Sequence, residues 1–308
     1  MVCRLNKTLH GFKQASHDWY ELLCSYLISI GFSQCDSDTC IFVKRSESGG
    51  MIIVGVFVDD MCIAYAKEDE QEWLDLKSKL LTRFKIKDLG ELKLILGMRV
   101  TRNRKLKTLT IDNEVQIKAT LKTFGMDECK SASTPESLEK LEATTDADRG
   151  KVDKTLFQSM VGALNYLVQS CRPDISHAVN SICRYANNPG PTHYTAAKRI
   201  LRYLSGTSSL GLTLAPGCNG HGMNVVGWSD SDWGGDLADR KSTTGYVVKI
   251  GNNTVSWATK KQQTVALSTG EAEYMAISAV AQEILWIRSL LKEILGGNST
   301  LITPSIVY

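Results

Sequence analysis

Two places in this 308-residue chain offer carboxylates that could hold a metal ion. In the first, Asp59-Asp60 interrupts the run from Met51 to Ala66. Hairpin turns favour Asn-Gly or Asp-Gly, because φ must be positive there. Asp-Asp is not that choice, and its adjacent charges repel. The pair reads either as a solvated turn or as oxygen ligands for Mg²⁺, a hard cation. Two such ions, held about 3.5–4 Å apart, can clamp the attacking and leaving oxygens of a phosphoryl transfer. In the second place, Asp230 follows the run from Asn224 to Trp228, and Glu273 lies early in a helical pattern. An Asp at a strand end and a Glu facing it from a helix can share a metal. Equally, Asp230 and Asp232 can be turn residues. Glu271 and Glu273 can simply favour a helix N-terminus. On spacing alone, both readings stand for each place.

The elements that must position these groups follow from periodicity. Trp19 to Ile30 has helical spacing and stops at Gly31. Ile41-Phe42-Val43 and Met51 to Val58 read as strands, the second buried on both faces, with a turn from Ser46 to Gly50 between them. Met61 to Ala66 resumes the apolar pattern after the acidic turn. Glu68 to Phe84 is an amphipathic helix with an acidic start and a basic second half. Leu92 to Val100 and Thr108 to Ile111 read as strands around the basic turn Arg102-Asn103-Arg104-Lys105, and Asn113 to Phe124 as a helix. Lys130 to Lys154 is poor in large apolar residues and reads as a linker or mobile loop. Helical patterns follow at Thr155 to Gln169, Asp174 to Ala186 and His193 to Leu204. Asn224 to Trp228 is a strand, Gly245 to Ile250 and Thr254 to Trp257 a hairpin, Gly270 to Leu295 a long helix, and Leu301 to Tyr308 the start of another strand.

Composition bounds the class. With 43% hydrophobic and 22% charged residues, the chain is an ordinary globular mix. No apolar run approaches the length of about 18 residues that a membrane helix needs, and the N-terminus lacks the apolar stretch of a secretory signal. A net charge of +3 permits an anionic partner without requiring one. The nine cysteines form no C-x-x-C pair, which indicates reduced thiols in an intracellular protein rather than a zinc site or a disulfide framework.

Motifs then converge. Phe57-Val58-Asp59-Asp60 resembles the Y/F-x-D-D motif of reverse transcriptases. Leu9-His10-Gly11-Phe12-Lys13-Gln14-Ala15-Ser16 with Trp19-Tyr20 resembles the L-Y-G-L-K-Q-x-P-x-x-W-Y signature of copia-type LTR retrotransposon polymerases. Phe84 to Leu92 with Leu96-Gly97 is similar to that family's F-x-M-x-D-L-G-x-L…L-G. Ser133-Thr134-Pro135, Tyr166-Leu167 and Arg172-Pro173-Asp174-Ile175 fit as well. Ser229-Asp230-Ser231-Asp232-Trp233-Gly234-Gly235-Asp236, Arg240 to Tyr246 and Glu271-Ala272-Glu273-Tyr274 are similar to the family's RNase H domain.

The resemblance implies an α+β chain. Residues 1–128 would be a partial palm with the acidic hairpin and, at 88–97, a primer grip. A linker at 129–154, a helical thumb or connection at 155–221 and a truncated RNase H-like domain at 222–308 would follow. Asp59 and Asp60 would hold Mg²⁺ or Mn²⁺ for attack of a primer 3′-hydroxyl on a nucleotide. Asp230 and Glu273 would hold metal for cleavage of RNA in an RNA–DNA hybrid, with Asp232 and Glu271 as alternatives. Gly11, Lys13 and Gln14 would lie near the incoming nucleotide and template. Lys198, Arg199 and Arg202, with His193 and Lys260-Lys261, either track phosphates of a template–primer duplex or form a solvated face. The implied partners are an RNA template, a DNA primer, the hybrid, deoxynucleoside triphosphates and other Pol chains, without a membrane. The setting is a cytoplasmic particle or the nucleus. The family's first metal aspartate falls upstream of Leu9 and a later RNase H aspartate beyond Tyr308, so each site is expected to be one carboxylate short. Two rival readings are a nucleic-acid-binding remnant without catalysis and an inert transposon relic.

Overall fold

The computed structural model describes residues 11–12, 14–137, 141–216, 224–297 and 306–307. The chain divides into two compact units, one within 1–92 and 286–299, the other within 93–285 and 300–308. It is mixed helix and sheet throughout.

The first unit is a helix-on-sheet layer. Helix α1 (Ala15–Ser29) buries Leu23, Cys24 and Leu27, and Gly31 ends it at φ +96°. Strands β1 (Ser33–Gln34), β2 (Ile41–Arg45), β3 (Met51–Phe57) and β4 (Asp60–Tyr65) form one antiparallel sheet in chain order. Helix α2 (Glu70–Arg83) buries Trp73, Leu76 and Leu80. These residues pack with Phe42, Ile52, Val54, Val56 and Phe84. Each such side chain contributes roughly 1.5–3 kcal/mol. The expectation that β3 is buried on both faces is corrected. Ile52, Val54 and Val56 are buried while the alternate residues Met51, Ile53 and Gly55 are only half-buried. The pleat sends successive side chains to opposite faces, and both helices pack on the same one. Residues 286–297 complete this unit: the Trp286 indole donates to Ser37 O at 2.8 Å, and Glu293 accepts the Asp36 N–H at 2.6 Å.

The second unit begins with β5 (Leu94–Ile95), β6 (Met98–Asn103) and β7 (Thr108–Asp112). The expected single strand from Leu92 to Val100 is broken at Leu96-Gly97, whose φ values of +48° and +76° make a tight hairpin turn. Helices α3 (Glu114–Thr123), α4 (Lys154–Ser170), α5 (Ser176–Cys183) and α6 (Pro191–Gly206) bury a common core that includes Ile117, Phe157, Leu164, Leu167, Ile182, Ile200 and Leu204. Asp153 starts α4 by accepting the N–H groups of Thr155 and Leu156. Among the described residues of 130–153, ahead of α4, the only helix-like element is a 3₁₀ turn at Asp146–Asp148. The stretch is nevertheless pinned to the helices. Thr144 Oγ1 donates to Asn188 O at 2.6 Å, and the Ala132 N–H to Arg202 O at 3.2 Å.

Strand β8 (Gly211–Leu214), not expected from the residue pattern, pairs with β7. Strands β9 (Val225–Asp232), β10 (Thr243–Ile250) and β11 (Asn253–Lys261), helix α7 (Thr269–Ile294) and strand β12 (Ile306–Val307) follow. Their sheet order is β11-β10-β9-β12, antiparallel except that β12 runs parallel to β9. Helix α7 lies on this sheet through Ala272, Ala276, Val280 and Ile284. Its close approach needs Gly227: a Cβ there would fall 2.6 Å from Val280 and 2.7 Å from Ile284. The opposite face carries α4 and α5. Ser176 Oγ donates to Thr259 Oγ1, Asn180 to Thr259 O, and the Trp257 indole to Val168 O. Among the described residues, no helix is long and apolar enough to cross a membrane.

Candidate active site

Asp59 and Asp60 sit at the tip of the β3–β4 hairpin. Phe57 pairs with Asp60, so Val58 and Asp59 form the turn and Asp60 opens β4. The expected turn was Asp59-Asp60, one position later. Val58 has φ +49°, a region that β-branched residues rarely occupy. Such a conformation costs on the order of 1–3 kcal/mol and persists only when its surroundings fix it. Trp19 does so: its indole N–H donates to Val58 O at 2.9 Å, and its ring meets Phe84 edge-on at 5.4 Å. Both carboxylates are exposed, and neither makes an ion pair or side-chain hydrogen bond among the described residues. Gly11 (φ +94°) and Gln14 lie exposed at the start of α1, while Lys13 lies outside the described residues.

The second acidic stretch is built differently. The expectation that the strand ends at Trp228 is corrected, because β9 runs on through Asp232 and pairs there with Thr243. The continuation fixes side-chain direction. Gly227 and Val248 are paired and face α7, so Asp230, an odd number of residues from Gly227, faces the α4–α5 side. Asp230 is exposed beside a cavity of about 260 Å³, lined also by Pro173, Ser176, Trp228, Trp257 and Thr259. Glu273 is half-buried on α7, which covers the other face. Asp230 and Glu273 thus come from opposite sides of the sheet. Among the described residues, no group of three or more His, Cys, Asp or Glu side chains is arranged to hold a metal ion. Glu271 belongs to the helix start: it accepts the Leu267 N–H at 2.6 Å, and its own N–H donates to Ser268 Oγ at 3.2 Å. Glu271 thus favours the helix N-terminus, one of the readings its position allowed.

Asp236 is the acidic residue that sequence reasoning passed over. It is buried and accepts from Lys261 Nζ at 2.5 Å, Arg184 Nη1 at 3.1 Å and the Ala238 N–H at 2.9 Å. Burial alone pushes its carboxyl up, but Lys261, the Ala238 N–H and Arg184 together hold it below the usual range. Arg172 is likewise buried, forked onto Asp174 at 2.8 and 2.9 Å. Only the R-P-D-I motif hinted at this pair.

The basic residues on α6 are engaged within the fold. Arg199 donates to Thr134 Oγ1 at 2.8 Å and Arg202 to Lys130 O at 2.7 Å, while Lys198 sits 4.6 Å above the Tyr194 ring. His193 is buried, accepts the Gly190 N–H on Nδ1 and donates from Nε2 to Glu142 O. Burial lowers its pKa, so the ring is a neutral structural link.

A family profile described as reverse transcriptase (RNA-dependent DNA polymerase) matches residues 1–138. The chain is 39% identical over 274 residues to the retrovirus-related Pol polyprotein from transposon TNT 1-94 of Nicotiana tabacum, an alignment that covers 87% of this chain and 20% of that protein. It is 36% identical over 269 residues to the retrovirus-related Pol polyprotein from transposon RE1 of Arabidopsis thaliana, covering 87% of this chain and 18% of that one. An uncharacterised mitochondrial protein of Arabidopsis thaliana is 35% identical over 214 residues, 70% of this chain and 85% of its own length. The chain belongs to the reverse-transcriptase family found in copia-type transposon Pol polyproteins. It spans about a fifth of the length of the Pol polyproteins it matches.

Proposed function

We propose that this chain takes part in RNA-directed DNA synthesis, with the β3–β4 hairpin as the metal-bearing tip of a polymerase palm. One observation carries this reading. In a reverse-transcriptase chain, two exposed carboxylates that make no ion pair among the described residues stand on a turn that Trp19 locks. Their donor chemistry fits Mg²⁺ or Mn²⁺: hard oxygens, with no protein cation paired to them among the described residues. A bound divalent ion supplies charge stabilisation to the attacking and leaving oxygens of phosphoryl transfer. The chain's own contribution is position. Asp59 and Asp60 present oxygens from a fixed turn, Gly11, Lys13 and Gln14 border the incoming nucleotide and template, and residues 88–97 steady the primer. The partners in this reading are an RNA template, a DNA primer and deoxynucleoside triphosphates. Primer extension on an RNA template with Mg²⁺ or Mn²⁺ tests it. The native chain extends, and the Asp59→Asn, Asp60→Asn double variant does not. Equal extension by both would sink the assignment.

The sheet order β11-β10-β9-β12, with a helix between β11 and the parallel strand β12, supports a second activity at the C-terminal end. In an RNase H-like domain, Asp230 would be a metal ligand for cleavage of the RNA strand of a hybrid; Glu273, on the opposite face of the sheet, does not share that ion in this arrangement. Asp230→Asn should abolish hybrid cleavage and leave extension intact. The rival reading, binding without turnover, draws on the lack of a third carboxylate near either pair among the described residues. Salt-sensitive hybrid binding by a folded protein that neither extends nor cleaves would decide for it.

A further inference from the structure

We infer that the β6–β7 hairpin is a contact for the phosphate backbone of a nucleic acid strand, one that works by charge and without reading sequence. The inference rests on the nucleic-acid reading above and adds a site to it.

From Lys93 to Ile111 the chain has no acidic residue but carries Lys93, Arg99, Arg102, Arg104, Lys105 and Lys107. The base and the tip of the hairpin treat these charges differently. At the base, Arg99 is spent on Asp112 at 3.0 Å and Glu114 at 2.6 Å. At the tip, Arg102, Lys105 and Lys107 are exposed and make no ion pair among the described residues. The tip also projects past its sheet. Strand β5 pairs only with Met98 and Arg99, and β8 only with Leu109 to Asp112. Among the described residues, no strand of the sheet other than β6 and β7 reaches the tip from Asn103 to Thr108, and residues 101–107 are exposed, which leaves the charged side chains open to a polyanion.

The tip is shaped rather than loose. Asn103 Oδ1 accepts the N–H of Lys105 at 3.1 Å and of Leu106 at 3.0 Å, and Lys107 takes φ +53° to close the turn. Charges on a fixed turn lose less freedom on binding than charges on a flexible tail. The contrast with α6 sharpens the point. The arginines there are committed to the 130–134 backbone and side chains, whereas Arg102, Lys105 and Lys107 at the hairpin tip are exposed and make no ion pair among the described residues. Lysine and arginine that neutralise phosphates release counterions, so their contribution falls steeply with salt.

The test is fluorescence anisotropy with a labelled RNA–DNA hybrid across a salt series. The proteins are the native chain, an Arg102→Ala, Lys105→Ala, Lys107→Ala variant, and a charge-keeping Arg102→Lys, Lys105→Arg, Lys107→Arg variant. Loss of three phosphate contacts lowers the log–log salt slope by roughly 2–3 and weakens binding on the order of 100-fold near 0.1 M salt. The charge-keeping variant retains native binding, and all three melt alike because the altered side chains are exposed. If the native chain binds and the alanine variant binds equally well with the same slope, the hairpin assignment fails while the nucleic-acid reading stands. If the native chain binds no hybrid, the underlying reading fails as well. Charge-dependent binding to phosphatidylserine vesicles but not to hybrid would overturn the choice of partner.

Discussion

The two acidic regions of this chain look alike in sequence and are built oppositely. Around Asp59 and Asp60 the fold invests in backbone: a strained Val58, a tryptophan clamp, and carboxylates that no cation pairs with among the described residues. Around Asp230 to Asp236 it invests in side chains. Asp236 is buried between Arg184 and Lys261, Lys261 also reaches Asp239 at 2.9 Å, and Arg184 donates to Thr243 Oγ1. A carboxylate already neutralised by protein cations has little left to offer a metal. One left exposed on a rigid turn contributes little to stability and keeps its charge for a ligand. The difference separates architecture from chemistry within one residue type.

The largest expected effect follows directly. Asp236→Ala leaves Arg184 and Lys261 facing an empty buried site, and removing one partner of a buried pair typically costs about 3–5 kcal/mol. Asp59→Ala and Asp60→Ala should stay within about 0.5 kcal/mol of the native chain, as exposed substitutions do. Urea unfolding of the three proteins checks the contrast, and equal losses would erase it. Gly227→Val comes next. It pushes a side chain into Val280 and Ile284, and overpacking of this kind costs roughly 1–3 kcal/mol. Thermal melts should show the loss. A smaller effect is expected at the first region. Trp19→Phe removes one hydrogen bond, about 1 kcal/mol, and hydrogen exchange at residues 58–60 should accelerate.

The smallest effect concerns His177 and Glu136, joined at 2.6 Å on a partly exposed surface. The hydrogen bond to Glu136 outweighs burial and raises the His177 pKa above its ordinary 6.5. Burial favours a higher Glu136 pKa, but His177 and its neighbours bring it below 4.5. The sign follows for each group. The histidine's contribution is complete below pH 6.5 and fades as pH rises through its higher folded value. The glutamate's is complete above pH 4.5 and fades as pH falls through its lower folded value. The contact is therefore firmest between about pH 4.5 and 6.5, and it is worth less than about 1 kcal/mol at such exposure. Proteolysis of the 130–137 stretch should be faster at pH 8 than at pH 6, and His177→Gln should remove most of that difference.

Much of the molecule was legible before its fold. Helices α1, α2, α3, α4 and α6 follow from apolar spacing and end within a few residues of their sequence signals. The acidic hairpin followed from Asp59-Asp60 set between apolar runs, and the family from motifs strung along the whole chain. These are local facts: a helix bonds residues four apart, and a hairpin bonds its own neighbours. What the sequence alone could not reveal depends on partners far along the chain. Gly211–Leu214 becomes a strand only because Leu109 to Asp112 offers it an edge. Residues 130–137 are held because Arg199 and Arg202 reach them. Asp230 looked like a strand-end ligand facing Glu273. Pairing with β10 extends β9 past it, and the two-residue period of a strand then turns its side chain to the face away from α7. Local hydrogen bonding is written in neighbouring residues. Which face a side chain meets, and whether a cation waits there to neutralise it, is decided only when distant segments pack together.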